Sequence, residues 1–160
     1  MITALRTIGA DYVFDTTFGA DLTVMEEASE LVNRIKISKD LPMFTSCCPS
    51  WVKFCEMFYP EYLDNLSTCK SPISMMGSVI NNYFCKINNL KREDIISIVI
   101  VPCTSKKMEI LRYNDIDLAI TTRELAKYLK KEKINLAKLK NSGYNSLLGK
   151  GSSGGIIFGT

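Results

Sequence analysis

Apolar residues along the chain follow two patterns, one of helical spacing and one of short unbroken runs. From about residue 20 to residue 36 they recur three or four positions apart, which predicts a helix with one apolar face. Pro49 and Pro72 each precede an apolar stretch, and proline is typical of the first turn of a helix. A Thr121-x-x-Glu124 capping box marks one more helix start. The predicted helices cover about 20–36, 49–58, 72–87 and 122–129.

Short runs of β-forming residues predict four strands, at Tyr12–Asp15, Leu41–Thr45, Ile95–Val101 and Asp115–Thr121. Ile95–Val101 shows no polar alternation, which is typical of a central strand buried on both faces. Strands and helices alternate along the chain. The pattern therefore predicts an α/β fold, with a mainly parallel sheet of about four strands flanked by helices and joined by right-handed crossovers.

Composition indicates one ordinary globular domain, since 46% of the 160 residues are hydrophobic and 23% are charged. The net charge of +3 is too small and dispersed to indicate nucleic-acid binding. The lysines at 127, 130, 131 and 133 are interrupted by Glu132, which is typical of a solvated helix face. No apolar run is long enough to span a membrane. The N-terminus lacks a signal-peptide pattern, so we expect a cytoplasmic protein.

The cysteine and histidine counts restrict the possible chemistry. Six cysteines and no histidine exclude histidine-ligated zinc enzymes, Cys–His nucleophile pairs and Ser–His–Asp hydrolases. No two cysteines have CxxC spacing, which excludes thioredoxin-type couples. Without a secretion signal, free thiols are expected rather than a disulfide framework. Any chemistry must use thiolates, carboxylates, lysine or a bound cluster.

Two thiol-bearing stretches share one layout, in which an apolar run leads to cysteine and then to polar residues. Cys47 and Cys48 follow one run, and Cys103 follows another and precedes Lys106. Strand ends are where open sheets present ligands, and a neighbouring cation favours thiolates. This layout indicates a metal–sulfur site, although thiols packed in the core are the alternative. Packing is the interpretation we favour for Cys55, Cys69 and Cys85.

A glycine-rich tail at residues 149–155 formally matches GxGxxG. No convincing strand precedes it, and no acidic residue follows at the distance that dinucleotide binding requires. We therefore expect a flexible turn there.

At the motif level, the stretches Thr45–Trp51 and Val101–Glu109 resemble the first two signature motifs of the iron-only (FeFe) hydrogenases. The resemblance extends over essentially the whole chain. Further matching stretches are Val13–Thr16, Met25–Glu27, Leu66–Ser67, Lys70–Pro72 and Asp117–Leu125.

The resemblance implies that Cys48 and Cys103 are two of the four ligands of a [4Fe-4S] cluster, which requires thiolate ligation. In the family this cluster is bridged to a di-iron centre with CO and cyanide ligands, and the two together form the H-cluster. Cys47 would donate and accept protons at that centre, and Lys106 would hydrogen-bond a cyanide. The pocket wall would include Pro102, Ser71 and Pro72.

A proton relay to Cys47 is also implied by the resemblance, through Glu27, Glu30, Arg34 and Ser67. Independently of the family, Glu27 and Glu30 share a helix face and Arg34 lies one turn beyond Glu30. The alternative is an ordinary surface Glu–Arg pair.

Three departures from the family pattern stand out. The third motif, which carries the other two cluster cysteines, is absent, and so is the upstream Ala-Pro segment. We therefore expect residues 1–160 to be a single partial domain, truncated at both ends and covering mainly one lobe of the catalytic domain. Val101 stands where many members have Met, and Ile73 where many have Gln. With two ligands of four, the 160 residues alone are expected to be inactive.

The resemblance predicts part of an enzyme that reversibly reduces protons to H2 with electrons from a ferredoxin-like donor. Its partners would be that donor and the remainder of the hydrogenase chain. One alternative is a non-catalytic relative that binds iron–sulfur clusters for assembly or sensing. The other is an α/β domain whose cysteines belong to the core.

Overall fold

A computed structural model describes residues 1–159, and side chains through residue 157. It contains eight α-helices and two β-strands within that range. The helices are α1 (Ile2–Thr7), α2 (Thr17–Ile37), α3 (Pro49–Phe58), α4 (Pro72–Val79), α5 (Cys85–Ile87), α6 (Ser105–Tyr113), α7 (Thr122–Lys131) and α8 (Ser153–Gly159). The strands are β1 (Ile98–Val101) and β2 (Leu118–Thr121), and short 3-10 helices cover Pro60–Asn65, Arg92–Asp94 and Leu136–Lys138.

The two strands pair in parallel, from Ile98 opposite Leu118 to Val101 opposite Thr121, with α6 in the connection. The α/β class and the parallel pairing are confirmed. The prediction of about four strands is wrong, because the described residues form a two-stranded sheet.

The two missing strands have local reasons. At Tyr12–Asp15, the N–H of Val13 donates to the side chain of Asn145 and its carbonyl accepts from the backbone of Asn145, so one coil residue takes the place of a neighbouring strand. At Leu41–Thr45, pairing is limited to one parallel bridge between Phe44 and Leu66. The partner segment emerges from the 3-10 helix only at Leu66, and Pro42 has no N–H to contribute.

The prediction that β1 is a central strand buried on both faces is also wrong. Val101 is fully buried, but Ile98 is 55% exposed. A strand with one neighbour remains at the edge of its sheet, so its first residues stay accessible to solvent.

The predicted helices are found. The stretch predicted as one helix from 72 to 87 is divided into α4, a π-helical turn at Ile80–Phe84, and α5. The capping box of α7 is confirmed in both directions: Glu124 N–H donates to Thr121 Oγ1 (3.2 Å) and Thr121 N–H donates to Glu124 Oε2 (2.7 Å). Among the described residues, no helix has both the length and the apolar character to cross a membrane.

The sheet separates two buried clusters, because successive strand residues point to opposite faces. α4 and α6 cover one face and α1 and α7 cover the other. The first cluster contains Ile73, Val101, Ile110, Ile116 and Ala119. The second contains Ala4, Leu125 and Leu129, with Ile100 and Ile120 packed against it.

Helix α2 packs against both α4 and α8 through close backbone approaches. At Gly19 a Cβ would overlap the carbonyl of Pro72, and at Gly155 a Cβ would overlap the carbonyl of Thr17. Asp21 accepts a hydrogen bond from the N–H of Ser152 (2.6 Å), which fixes the approach to α8. The expected flexible turn at 149–155 is thus wrong from Ser153 onward, where α8 begins.

Candidate functional site

The two thiol stretches end at helix N-termini. Cys48 is the N-cap residue of α3, and Cys103 lies two residues before α6 begins at Ser105. Helix N-termini carry unpaired N–H groups and a partial positive charge, which favour thiolates and anionic groups. Both predicted metal ligands therefore occupy positions that suit a negatively charged iron–sulfur group.

The loop that carries Cys47 and Cys48 and the loop that carries Cys103, together the thiol loops, adjoin each other. The hydroxyls of Ser50 and Ser105 lie 2.5 Å apart, one at each helix start. Lys106 extends from α6 and donates to the backbone carbonyl of Cys47 (2.6 Å). The structure thus joins the thiol loops through hydrogen-bonded residues that are 55 and 59 positions apart in sequence.

Cysteine exposure separates two groups of thiols. Cys48 and Cys103 are exposed and Cys47 is partly buried, whereas Cys55 and Cys85 are buried in the interior. All six thiols are free. Packing therefore describes Cys55 and Cys85, as expected, but it does not describe Cys48 or Cys103. The Cys47 sulfur lies within hydrogen-bond distance of Thr45 Oγ1, at 3.7 Å.

A buried carboxylate supports Lys106. The lysine Nζ lies 2.7 Å from Glu109 Oε2, and the two side chains are 14% and 5% exposed. The other carboxylate oxygen accepts hydrogen bonds from the hydroxyls of Ser71 and Ser74 at the start of α4. Sequence reasoning included Glu109 in the motif but gave it no role. The sequence did contain a signal for this ion pair, because residues three positions apart on a helix lie side by side.

The predicted pocket wall is only partly buried. Ser71 is the N-cap residue of α4 and is 2% exposed, Pro72 is partly buried at the first helical position, and Pro102 is exposed. The two departures from the family pattern, Ile73 and Val101, belong to one buried cluster. These two substitutions therefore share one apolar environment on the α4 side of the sheet.

The predicted relay residues lie together between α2 and the segment after the 3-10 helix. Glu30 Oε2 accepts from Ser67 Oγ (3.0 Å) and from the N–H of Thr68 (3.0 Å), and Arg34 Nη2 lies 2.6 Å from Glu30 Oε1. Burial alone would raise the pKa of Glu30, but the hydrogen bonds from Arg34, Thr68 and Ser67 outweigh it and lower that pKa. Arg34 is 8% exposed, so the pair is not the ordinary surface pair of the alternative interpretation.

Glu27 lies one turn before Glu30 and is 6% exposed. Burial raises its pKa, against weaker opposing interactions with the Ser67 hydroxyl and the Ser46 N–H, and the negative charge of Glu30 raises it further. Its Oε1 atom is buried and has no hydrogen-bond partner among the described residues. Glu27 is thus a buried carboxyl on the same helix face as Glu30, with one oxygen available for a further partner.

Cys69 lies beside Glu30 and Ser67 rather than in a packed core. Its Sγ is 4.0 Å from Glu30 Oε2, its N–H donates to Ser67 Oγ (3.2 Å), and burial raises the pKa of its thiol. Sequence reasoning missed both Cys69 and Thr68 as neighbours of Glu30. Their position directly after Ser67 was the only signal.

The donor set fits one side of an iron–sulfur group. Within residues 1–157, no three cysteine, aspartate or glutamate side chains come together in a way that could hold a metal ion. The residues present are two exposed thiols at adjoining helix starts and one lysine ammonium between the loops. Two thiols are fewer than the four thiolates that usually hold a [4Fe-4S] cluster.

Comparison with known proteins identifies relatives of the chain. The chain is 48% identical to iron hydrogenase 1 of Clostridium pasteurianum, covering 98% of this chain and 29% of the relative. It is 42% identical to the periplasmic [Fe] hydrogenase large subunit of Nitratidesulfovibrio vulgaris, covering 99% and 40%. It is 33% identical to the cytosolic Fe-S cluster assembly factor narfl of Xenopus tropicalis, covering 90% and 33%. The chain thus spans less than half the length of each.

Among solved structures, an [FeFe]-hydrogenase HydA1 of Chlamydomonas reinhardtii superposes with a TM-score of 0.88 at 38% identity, over 94% of this chain and 40% of that one. The profile of one family, described as the C-terminal domain of the iron only hydrogenase large subunit, matches residues 1–160. Family profile, sequence relatives and structural neighbour agree, and the chain belongs to this family of iron-only hydrogenase domains.

Proposed function

We propose that this chain forms part of an iron-only hydrogenase that reversibly reduces protons to H2. The observation that carries the proposal is the junction of the two thiol loops, where Lys106 on α6 donates to the Cys47 carbonyl and Ser50 meets Ser105. This junction presents Cys48 and Cys103 at adjoining helix starts. In the proposal both ligate the [4Fe-4S] unit, and the remaining ligands come from outside these residues.

The H-cluster, when bound, supplies the redox chemistry that combines electrons with protons. Lys106 would bind an anionic ligand of that group, beside a pocket wall formed by Pro102, Ser71 and Pro72. A buried ammonium suits an anion because its charge is poorly screened where water is excluded.

The protein's own part is proton delivery. In the proposal a proton enters at Glu30 and Arg34, passes the Ser67 hydroxyl to Glu27, and reaches the Cys47 thiol. The Ser67–Glu30 hydrogen bond of 3.0 Å and the raised pKa of Glu27 support this order. A carboxyl with a raised pKa holds and releases protons nearer neutral pH than an ordinary glutamate does. Its Oε1 is buried and has no hydrogen-bond partner among the described residues, so it is available to bind the next group in the path.

Electrons would come from a ferredoxin-like donor. The cytoplasmic location stays a prediction, because one relative of this chain is named periplasmic.

The proposal is tested in the protein that carries this chain together with the rest of its catalytic domain. We expect Cys48→Ser and Cys103→Ser each to lower iron content after anaerobic reconstitution and to abolish H2 evolution. Cys55→Ser is the matched control, because Cys55 is fully buried on α3, and it should retain iron. We expect Cys47→Ala to retain iron and lose nearly all H2 evolution. Iron content that is independent of Cys48 and Cys103 would refute the proposal.

A role in iron–sulfur assembly is the second candidate, favoured by the 33% identity to the assembly factor of Xenopus tropicalis. An assembly protein would retain iron through the same thiols and evolve no H2, with or without Cys47. The Cys47→Ala comparison therefore separates the two functions. The cluster of Glu27, Glu30 and Ser67 supports the hydrogenase, because cluster transfer does not need a path for protons.

A further inference from the structure

Glu109 is a buried carboxylate that forms an ion pair with Lys106. It is 6% exposed, lies on α6 one turn beyond Lys106, and accepts hydrogen bonds at both carboxylate oxygens. Oε2 accepts from Lys106 (2.7 Å), while Oε1 accepts from Ser74 (3.1 Å) and from Ser71. Both serines belong to the start of α4. The carboxylate of Glu109 is therefore held by α4 as well as by its own helix, α6.

The contacts of Lys106 leave one N–H available. An ammonium group carries three N–H donors. One donates to the Cys47 carbonyl (2.6 Å) and one to Glu109 (2.7 Å). No third acceptor is present among the residues that the structure describes. Because the three N–H bonds are tetrahedral, fixing two of them also fixes the direction of the third.

Charge gives the second reason for Glu109. An ammonium that is 14% exposed loses most of its hydration, and an unpaired buried charge is strongly unfavourable. Glu109 compensates that charge, and a charge-assisted hydrogen bond is stronger than a neutral one. The Cys47 carbonyl alone would neither neutralise the lysine nor define its orientation.

We propose that Glu109 is the positioning residue for Lys106: held by Ser71 and Ser74, it orients the ammonium so that the third N–H binds an anionic ligand beside the thiol loops. This inference rests on the proposed function for the identity of the anion. The positioning itself is a property of the protein without any bound group. Glu109 acts through Lys106 and does not touch the ligand.

The first test uses the metal-free protein that carries this chain, labelled with nitrogen-15. We expect the Lys106 ammonium to give a resolved proton–nitrogen signal, because two hydrogen bonds slow its proton exchange. Glu109→Gln should accelerate that exchange about tenfold or more, since a hydrogen bond to a charged group is lost. Glu56→Gln is the matched control: it makes the same chemical change at a carboxylate that pairs with Arg112 and leaves Lys106 untouched. Equal exchange in the wild type and Glu109→Gln would overturn the proposal.

The second test uses the same protein loaded with the H-cluster and reads the cyanide stretching bands by infrared spectroscopy. Glu109→Gln should shift a cyanide band, and Glu109→Asp should restore part of the shift because it keeps the charge. In a Lys106→Met background, Glu109→Gln should shift no band further. An additive shift in that background would show that Glu109 does not act through Lys106.

Two outcomes separate this inference from the proposed function. If the protein binds no H-cluster while Glu109→Gln still accelerates ammonium exchange, the positioning holds and the hydrogenase proposal fails. If Glu109→Gln does not fold, Glu109→Asp decides, because the shorter carboxylate must increase the ammonium exchange rate by withdrawing from Lys106. Unchanged exchange in a folded Glu109→Asp variant would then refute the positioning role.

Discussion

Arg34 offers the sharpest test of how the residues of the proposed relay are held together. Near the end of α2, it donates to Glu30 Oε1 (2.6 Å) and to three backbone carbonyls, those of Asp40 (3.0 Å), Asp64 (2.8 Å) and Leu66 (2.8 Å). It therefore joins the helix to the loop before the thiols and to the bridge at Leu66. Arg34→Met retains the apolar stem and removes every one of these donors.

We expect Arg34→Met to lower the free energy of unfolding by about 3 kcal/mol. Removing one partner of a buried ion pair costs roughly 3–5 kcal/mol. The lower end applies because Ser67 and Thr68 still donate to Glu30. Arg34→Lys retains the charge, but one ammonium cannot reach all four acceptors, so its expected cost is about 1–2 kcal/mol.

Urea unfolding followed by tryptophan fluorescence measures these costs. Trp51 is the one tryptophan of the 160 residues, and its ring lies 5.8 Å from that of Phe44, which forms the bridge to Leu66. We expect a lower midpoint with an unchanged slope. A loss under about 1 kcal/mol for Arg34→Met would refute the buried-pair reasoning.

The pH dependence supplies an independent check of the sign. The pKa of Glu30 is lowered in the fold, so its stabilising contribution is complete above its ordinary value of 4.5 and disappears as the pH falls through the lowered value. The difference between wild type and Arg34→Met should therefore shrink in acid. A difference that is equally large at pH 7 and pH 3 would contradict this account.

Three further predictions concern other parts of the molecule. Because burial raises the pKa of Glu27, its own contribution to stability should be complete below its ordinary value of 4.5 and be lost as the pH rises through the raised value. The Tm of the wild type should therefore fall relative to that of Glu27→Gln across this range, and parallel Tm curves would contradict the prediction. Val101→Met places extra volume at a fully buried position and should cost about 1–3 kcal/mol in urea unfolding, whereas an unchanged midpoint would indicate a tolerant core. Gly155→Ala should push α8 away from Thr17 and increase the rate of proteolysis near residues 150–159. Gly149→Ala is the control, because open space surrounds Gly149, and equal rates of proteolysis in the two variants would refute the close-packing argument.

Features that depend on neighbouring residues were predictable from the sequence. The capping box at Thr121, the proline starts of α3 and α4, and the Glu30–Arg34 pair one turn apart all appear in the structure. In each, the partners are a few residues apart, so local backbone geometry decides the contact.

Features that depend on distant partners were predicted less well. The apolar runs at residues 12–15 and 41–45 have strand-like composition, yet the segments beside them do not offer a ladder of hydrogen bonds. Cys69 was assigned to packing, but it lies beside Glu30 on a helix distant in sequence. The structural propensity of residues describes a single segment, whereas a paired strand or a polar cluster requires a second segment that packs beside the first.

The sequence by itself determined the residue types of the site, two thiol motifs and a lysine in a chain without histidine, together with the helices that carry them. Only the tertiary structure decided that Lys106 reaches the Cys47 carbonyl, that two serines of α4 hold Glu109, and that Ser67 meets Glu30. The physical reason is that hydrogen-bond partners 35 to 59 residues apart are brought together by packing of helices and sheet, which the spacing of residues along one segment does not specify.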